Sequence, residues 1–332
     1  MPGLDRGTDF TPDSYPPFPS DLNGQTVELS TISLQKVLDG DATEQERVYE
    51  SCKSRGFFYL ELAGCQYGDT ILRGADGIAR LGERIGQLSM DEKMNNRRET
   101  ADFLNISKDD MIVPDEQMDR QWPLPVMESK QMLQGYVKAA HATGLFLLGI
   151  LSEKLGIDSS EFETRHRLQE QSGDHIRITR GPARKSKEKS EIQTSSHTDF
   201  GTMTILMNWL GGLQVWSESA RTARASDGEP DVPGQWLWVP PQRGCAIINL
   251  GDAAVKFTNG VLCAGRHRVV PAPGEQGLWT RYSVVYFVRP EDKCILKQLR
   301  GPGIPDGPEE EGLSAKEWIA QQAKAVGKNT GD

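Results

Sequence analysis

Between residues 174 and 288 the chain breaks into short apolar segments separated by glycine, proline and polar residues. They fall at 175–179, 203–207, 213–216, 235–239, 245–249, 268–270 and 281–288. These segments are rich in β-branched and aromatic residues and too short for helices of several turns, so they read as strands. Many short strands in succession close into a sandwich or barrel. The preceding part has a different rhythm. Residues 128–155 place Leu133, Tyr136, Val137, Ala140, Gly144, Leu147, Leu148, Leu151 and Leu155 at three- and four-residue spacing, which predicts a long helix stopped by Gly156. Further helices are expected over 43–54 and 67–88, with Ile71, Leu72, Ile78, Leu81 and Ile85 as buried candidates, and strands over 27–34 and 56–62. A last helix over 314–325 would open on a capping box made by Ser314 and Glu317. The expected fold class is mainly β with flanking helices.

A length of 332 residues with 37% hydrophobic content suits one large domain or two small ones. The net charge of −9 argues against nucleic acid and against an anionic membrane surface as partners. No apolar run reaches the length of a membrane span, and the start lacks a basic-then-apolar signal pattern. Residues 1–23, rich in Pro, Asp and Ser, read as a loosely held arm. Five cysteines without CxxC spacing suggest neither a disulfide framework nor a zinc site. Cys245 and Cys263 are expected to be buried free thiols, which suits a reducing cytoplasmic compartment.

Three residues carry the chemistry. His197 and Asp199 lie two apart, and His267 follows 68 positions after Asp199 (267 minus 199). Two imidazoles and one carboxylate form the facial ligand set of a non-haem Fe(II) centre, which leaves the opposite face of the metal open. On a strand, residues two apart point to one side, so a His-x-Asp aims both ligands at one ion. Arg281 and Ser283 share a face of the segment 281–288. A planar guanidinium with a neighbouring hydroxyl suits one end of a dicarboxylate. A His near a carboxylate is weak by itself, and His267 could equally be a core histidine.

The motifs in order are more specific. His197-Thr198-Asp199, Met203-Thr204-Ile205-Leu206, Gly211-Gly212-Leu213-Gln214-Val215, Trp238-Val239-Pro240-Pro241, Ile248-Asn249-Leu250-Gly251-Asp252, Phe257-Thr258-Asn259-Gly260, His267-Arg268-Val269-Val270 and Arg281-x-Ser283 follow one another. Over roughly residues 173–290 this succession resembles the isopenicillin N synthase-like branch of the Fe(II)/2-oxoglutarate-dependent dioxygenases. Arg55-Gly56-Phe57-Phe58-Tyr59-Leu60 and Leu88-Ser89-Met90-Asp91-Glu92-Lys93 resemble its N-terminal part. The resemblance implies a double-stranded β-helix, a jelly-roll of the cupin type. It implies Fe(II) held by His197, Asp199 and His267, and 2-oxoglutarate held by Arg281 and Ser283. It implies O2 as the oxidant and ascorbate as an activator. A small organic molecule is hydroxylated, desaturated or rearranged through a ferryl intermediate, in natural-product biosynthesis of a fungal kind.

The implied organisation is a flexible arm at 1–24, an α/β region at 25–127 packed on the barrel, a catalytic core at 128–298 and a C-terminal tail and helix at 299–332. The protein is expected to be a cytoplasmic monomer with a small-molecule substrate, without nucleic-acid or membrane partners. Two alternatives stay open here. One is an oxidase of the isopenicillin N synthase or aminocyclopropane-carboxylate oxidase type, which does not use 2-oxoglutarate. The other is a non-enzymatic cupin-type binding module.

The chain departs from the family where many relatives have Tyr before the proline that follows the first catalytic strand. Here Gly181, preceded by Arg180, stands before Pro182. Arg180 and Phe200 are therefore candidate substrate contacts, Arg180 with a salt bridge as the alternative. Phe103, Met111, Met118 and Trp122, in a segment over 95–125 that reads as irregular, are candidates for a pocket wall or for satellite core packing. Asn249 and Asp252 read as turn residues, Asn259-Gly260 as a hairpin turn, and Gly211-Gly212 as backbone geometry. His141 reads as structural or solvent-facing. The run from Arg184 to Lys189 reads as a solvated face or a lid, and 217–234 as an exposed loop.

Overall fold

The computed structural model describes residues 9–88, 102–183, 192–218, 233–308 and 311–325. Expectations for Ser89 to Lys93, for the basic run and for most of the loop over 217–234 lie outside them.

The N-terminal part runs β1 (Thr31–Ser33), α1 (Leu34–Leu38), α2 (Ala42–Ser54), β2 (Phe57–Glu61), α3 (Gln66–Gly86), β3 (Asp102–Ser107), α4 (Lys108–Ile112), α5 (Leu124–Glu128), α6 (Lys130–Leu155) and α7 (Ser160–Glu163). Then come β4 (His175–Gly181), β5 (Thr194–His197), β6 (Met203–Asn208), β7 (Leu213–Trp216), β8 (Trp236–Trp238), β9 (Cys245–Leu250), α8 (Asp252–Phe257), β10 (His267–Val269) and β11 (Arg281–Val288). A small ribbon of β12 (Ile295–Leu296) and β13 (Leu313–Ser314) precedes α9 (Ala315–Ala325).

Two sheets form the core. The larger has the order β1-β2-β9-β6-β11-β4-β3, and the smaller β5-β10-β7-β8. The strands from 25–127 are thus part of the large sheet, with β2 between β1 and β9. Alternation along β11 explains the layering. Tyr282, Val284 and Tyr286 join the large apolar cluster that includes α3 and α6. Ser283, Val285 and Phe287 face the other way, toward the small sheet and the pocket between the sheets. A second apolar cluster, including Phe57, Tyr59, Leu206, Leu213, Val215 and Ile247, closes the space between the sheets.

Helix α3 lies close to both the large sheet and α6 because its buried side includes small residues. A Cβ at Gly82 would stand 2.5 Å from Ile178 Cγ2, and one at Gly74 2.8 Å from Tyr136 Cδ2. Gly156 ends α6 at φ +65°, and Ser314 with Glu317 forms the expected capping box: the Glu317 N–H donates to Ser314 Oγ at 3.3 Å and the Ser314 N–H to Glu317 Oε2 at 3.1 Å.

Several expectations are corrected. The first strand is only Thr31–Ser33, because the chain turns directly into α1. The segment over 95–125 contributes edge strand β3 and helix α4. Residues 9–24 are held down: Phe10 is 1% exposed, edge-on to Trp209 and Tyr282, and its carbonyl accepts from Arg80 Nη1. Of the two readings of His141 the structural one is found: it is buried, with Nδ1 3.2 Å from Asp174 Oδ2. Asn259 and Gly260 turn the chain after α8, with φ of +48° and +79°, and close no hairpin.

Candidate active site

Strands β5 and β10 place His197 directly opposite His267. The ring centroids are 4.4 Å apart. His197 Nδ1 lies 2.7 Å from the carbonyl of Ser195, and His267 Nδ1 3.1 Å from that of Gly265. A carbonyl only accepts, so each Nδ1 donates, which leaves Nε2 as the nitrogen that can face a metal. The two Nε2 atoms lie 3.7 and 3.8 Å from Asp199 Oδ1. Asp199 stands beyond the end of β5, so strand alternation does not aim it. Two side chains from the large sheet do: Thr204 Oγ1 donates to Asp199 Oδ2 at 2.7 Å and Asn249 Nδ2 at 2.8 Å. The backbone N–H of Asp252 donates to the Asp199 carbonyl at 2.7 Å, and Thr198 Oγ1 donates to Asp252 Oδ2 at 3.0 Å. Burial opposes the Asp199 charge, but the two imidazoles and the two donors outweigh it and hold the carboxyl well below its usual range.

These three residues are the set among the described residues whose ligand atoms converge, all within 4.8 Å of one another. Two neutral nitrogens and one carboxylate oxygen, each fixed by a hydrogen bond on its far atom, fit a divalent iron.

The large sheet floors the pocket in rows set by register. Phe57, Asn249, Thr204, Phe287 and His175 form the row nearest the converging ligands. Ile247, Leu206, Val285, Arg177 and Asn105 form the next. Ser283 and Thr179 follow, then Arg281 opposite Gly181. Arg281 is 3% exposed and its Nε donates to the Gly211 carbonyl at 2.8 Å. Burial lowers it to about 10, so it stays charged at neutral pH. The glycine pair makes this approach possible: Gly212 has φ +115°, and a Cβ there would lie 2.5 Å from the Val270 carbonyl oxygen.

His197, Asp199, His267, Arg281 and Ser283 therefore line one pocket. Arg180 and Phe200 do not line it. Arg180 is one residue out of phase with Arg177 and Thr179, so it stands on the helix side, beside Gly86 and hydrogen-bonded to Tyr282. Phe200 packs against the main apolar core. Met111 is fully buried in that core, and Trp122 donates to Asp110 Oδ2 at 3.0 Å, which makes both packing residues. Asn249 and Arg177 were not expected in the pocket. Asn249 lies within β9 rather than in a turn. Strand parity alone picks Arg177 over Arg180.

The comparisons agree with this geometry. The profile of the 2OG-Fe(II) oxygenase superfamily matches residues 172–290. A 2-oxoglutarate-dependent dioxygenase of Aspergillus fumigatus is 31% identical over 323 residues, covering 88% of this chain and 83% of its own. Another from Dothideomycetidae sp. is 27% identical, covering 87% and 88%. Among solved structures, a full-length Neurospora crassa protein in complex with alpha-KG and 5-formyluracil has TM-score 0.72 at 21% identity, covering 92% of this chain and 98% of its own. The chain belongs to the 2-oxoglutarate–Fe(II) oxygenase superfamily. It is an oxygenase that uses Fe(II) and 2-oxoglutarate, on the double-stranded β-helix fold. No helix among the described residues is long and apolar enough to cross a membrane.

Proposed function

We propose that His197, Asp199 and His267 hold the iron, and that Arg281 and Ser283 hold the far carboxylate of 2-oxoglutarate, in an enzyme that oxidises a small molecule of specialised metabolism by hydroxylation, desaturation or rearrangement. Iron and 2-oxoglutarate, when bound, supply the activation of dioxygen. The chain's residues orient and enclose. The Nδ1 hydrogen bonds fix the imidazole planes, and Thr204 with Asn249 keeps Oδ2 of Asp199 occupied so that Oδ1 serves the metal. The observation that carries this reading is one pocket with two Nε2 atoms and Oδ1 at one end and a buried arginine beside a serine at the other. The likeness to fungal 2-oxoglutarate-dependent dioxygenases supports the metabolic assignment. A monomer in the cytoplasm is part of the same proposal, the compartment being supported by five free cysteines.

Single replacement of His197, Asp199 or His267 by Ala is expected to abolish Mn(II) binding in calorimetry and Fe(II)-dependent succinate release, with the fold retained. Arg281→Ala removes a charge-assisted contact of about 2–5 kcal/mol and raises the 2-oxoglutarate requirement by orders of magnitude. Retained metal affinity in any triad variant, or product formed without succinate, contradicts the assignment.

A further inference from the structure

The contact that orients Arg281 is itself supported from outside the pocket. Arg281 Nε donates to the Gly211 carbonyl, and this bond sets the plane of the guanidinium. The carbonyl belongs to a turn with little stiffness of its own. Gly211 and Gly212 carry no side chains, so neighbours must fix their peptides. The Leu210 carbonyl accepts from Asn208 Nδ2 at 3.2 Å, and the Gly212 carbonyl from the Val270 N–H at 2.9 Å. The Gly211 N–H donates to Gln276 Oε1 at 2.8 Å. The same amide reaches the N-terminal arm: Gln276 Nε2 donates to the Pro16 carbonyl at 2.9 Å. A carbonyl only accepts and an N–H only donates, so these two partners fix which way the amide is turned.

One chain of hydrogen bonds therefore runs from Pro16 through Gln276 and Gly211 to Arg281. Gln276 is 2% exposed, so solvent does not readily replace either of its contacts. It lies in the 3-10 turn Gly274–Leu278 between β10 and β11, and Pro16 stands 260 positions before it. Packing follows the same line. A Cβ on Gly211 would lie 2.9 Å from Phe18 Cε2 and 2.9 Å from Pro273 Cδ, so the arm and the 273–276 segment both press on the glycine. Rings seat the rest of the arm: Tyr15 stands edge-on to Trp279 at 5.3 Å, and Phe10 to Trp209 at 4.6 Å. Resting on the assignment of Arg281 to the far carboxylate of 2-oxoglutarate, we infer that Gln276 is a positioning residue of the cosubstrate site, acting on Arg281 through the Gly211 peptide, and that arm residues 9–18 belong to that site. Reciprocity follows. If a seated arm aids binding of the far carboxylate, the bound carboxylate must seat the arm more firmly.

The test uses the full chain loaded with Mn(II) in the absence of oxygen. The probes are two keto acids with the same chelating end: 2-oxoglutarate, and 2-oxobutanoate, which lacks the far carboxylate. Half-saturation is read by thermal shift, and wild type is expected to prefer 2-oxoglutarate. Gln276→Leu leaves the Gly211 N–H and the Pro16 carbonyl without their partner. It is expected to weaken 2-oxoglutarate roughly tenfold or more, while 2-oxobutanoate and Mn(II) change less than about threefold. A general loosening of the fold would weaken both acids alike. In wild type, hydrogen exchange over residues 9–15 is expected to slow with 2-oxoglutarate and not with 2-oxobutanoate. The proposal is overturned if Gln276→Leu keeps the wild-type preference, if it weakens both acids alike, or if exchange over 9–15 responds to both acids equally or to neither. The exchange measurement needs no variant, so it decides the matter even if Gln276→Leu fails to fold. A wild type that binds both acids equally would overturn the assignment of Arg281 itself, a distinct outcome.

Discussion

At the level of single residues, much of the site rests on donors that hold other side chains in place. Asn249 is the clearest, with one amide hydrogen bond to the carboxylate that completes the proposed ligand set. Asn249→Ala leaves Thr204 as the side-chain donor on Oδ2, so the carboxylate can rotate. Iron affinity is expected to fall roughly 10–100-fold with little change in Tm, checked by Mn(II) calorimetry beside thermal unfolding. Unchanged affinity would reduce Asn249 to a strand residue. The sequence revealed the proposed metal ligands because their spacing and order are a motif. It hid Asn249, because a contact across 50 positions leaves no local trace and Asn before Leu-Gly-Asp reads as a turn. It also drew attention to Arg180, with a salt bridge as the alternative, and passed over Arg177, which lines the pocket. Arg177 and Arg180 differ in strand parity, and a one-residue difference in phase moves a side chain through the sheet.

Among the elements, α3 and α6 were legible from helical periodicity, and β11 from its β-branched and aromatic run. What periodicity could not convey is how near a helix comes to the sheet. Gly82 sets that distance for α3, with Ile178 directly opposite. Gly82→Ala gains helix propensity of about 1 kcal/mol yet forces a Cβ to within 2.5 Å of Ile178 Cγ2. Overpacking of about 1–3 kcal/mol is expected to win, so the variant should unfold at lower urea. A second change, Ile178→Val, is expected to recover part of the loss, since it trims the residue that clashes. If Gly82→Ala were as stable as the parent, α3 would not be seated by its glycines. The strand β3 escaped the sequence reading for another reason: it pairs only at the sheet edge, next to polar residues that mask its alternation.

For the whole molecule, the pH response follows from histidines buried in neutral form. Burial lowers His166 from 6.5 to about 4. Its ring lies between the Phe162 carbonyl, 2.7 Å from Nδ1, and Thr202 Oγ1, 2.7 Å from Nε2. His175 is shifted well down too, first by burial and then by Arg289 and Arg177. Between the two values the unfolded chain binds a proton that the folded one refuses. Stability from this source is therefore complete above about pH 6.5 and falls as pH drops toward 4, by up to about 1.4 kcal/mol per pH unit for each group. Burial raises Asp252 to about 7, which acts with the opposite sign over the same range, so the measure is a difference. As pH falls from 6.5 to 4.5 the urea midpoint of His166→Gln is expected to rise relative to that of the parent, and a constant difference would place the histidine's acid sensitivity elsewhere. The opposed pair His197 and His267 has a consequence of a different kind. The separation of these two ligands is set by a β-ladder and not by the ion they would hold. Loading then needs no refolding, and its speed is governed by how quickly the aqueous ion sheds water. Loading should accordingly be fast for any divalent ion, while how long an ion then stays is set by the strength of its bonds to the three side chains and not by a rearrangement of the fold.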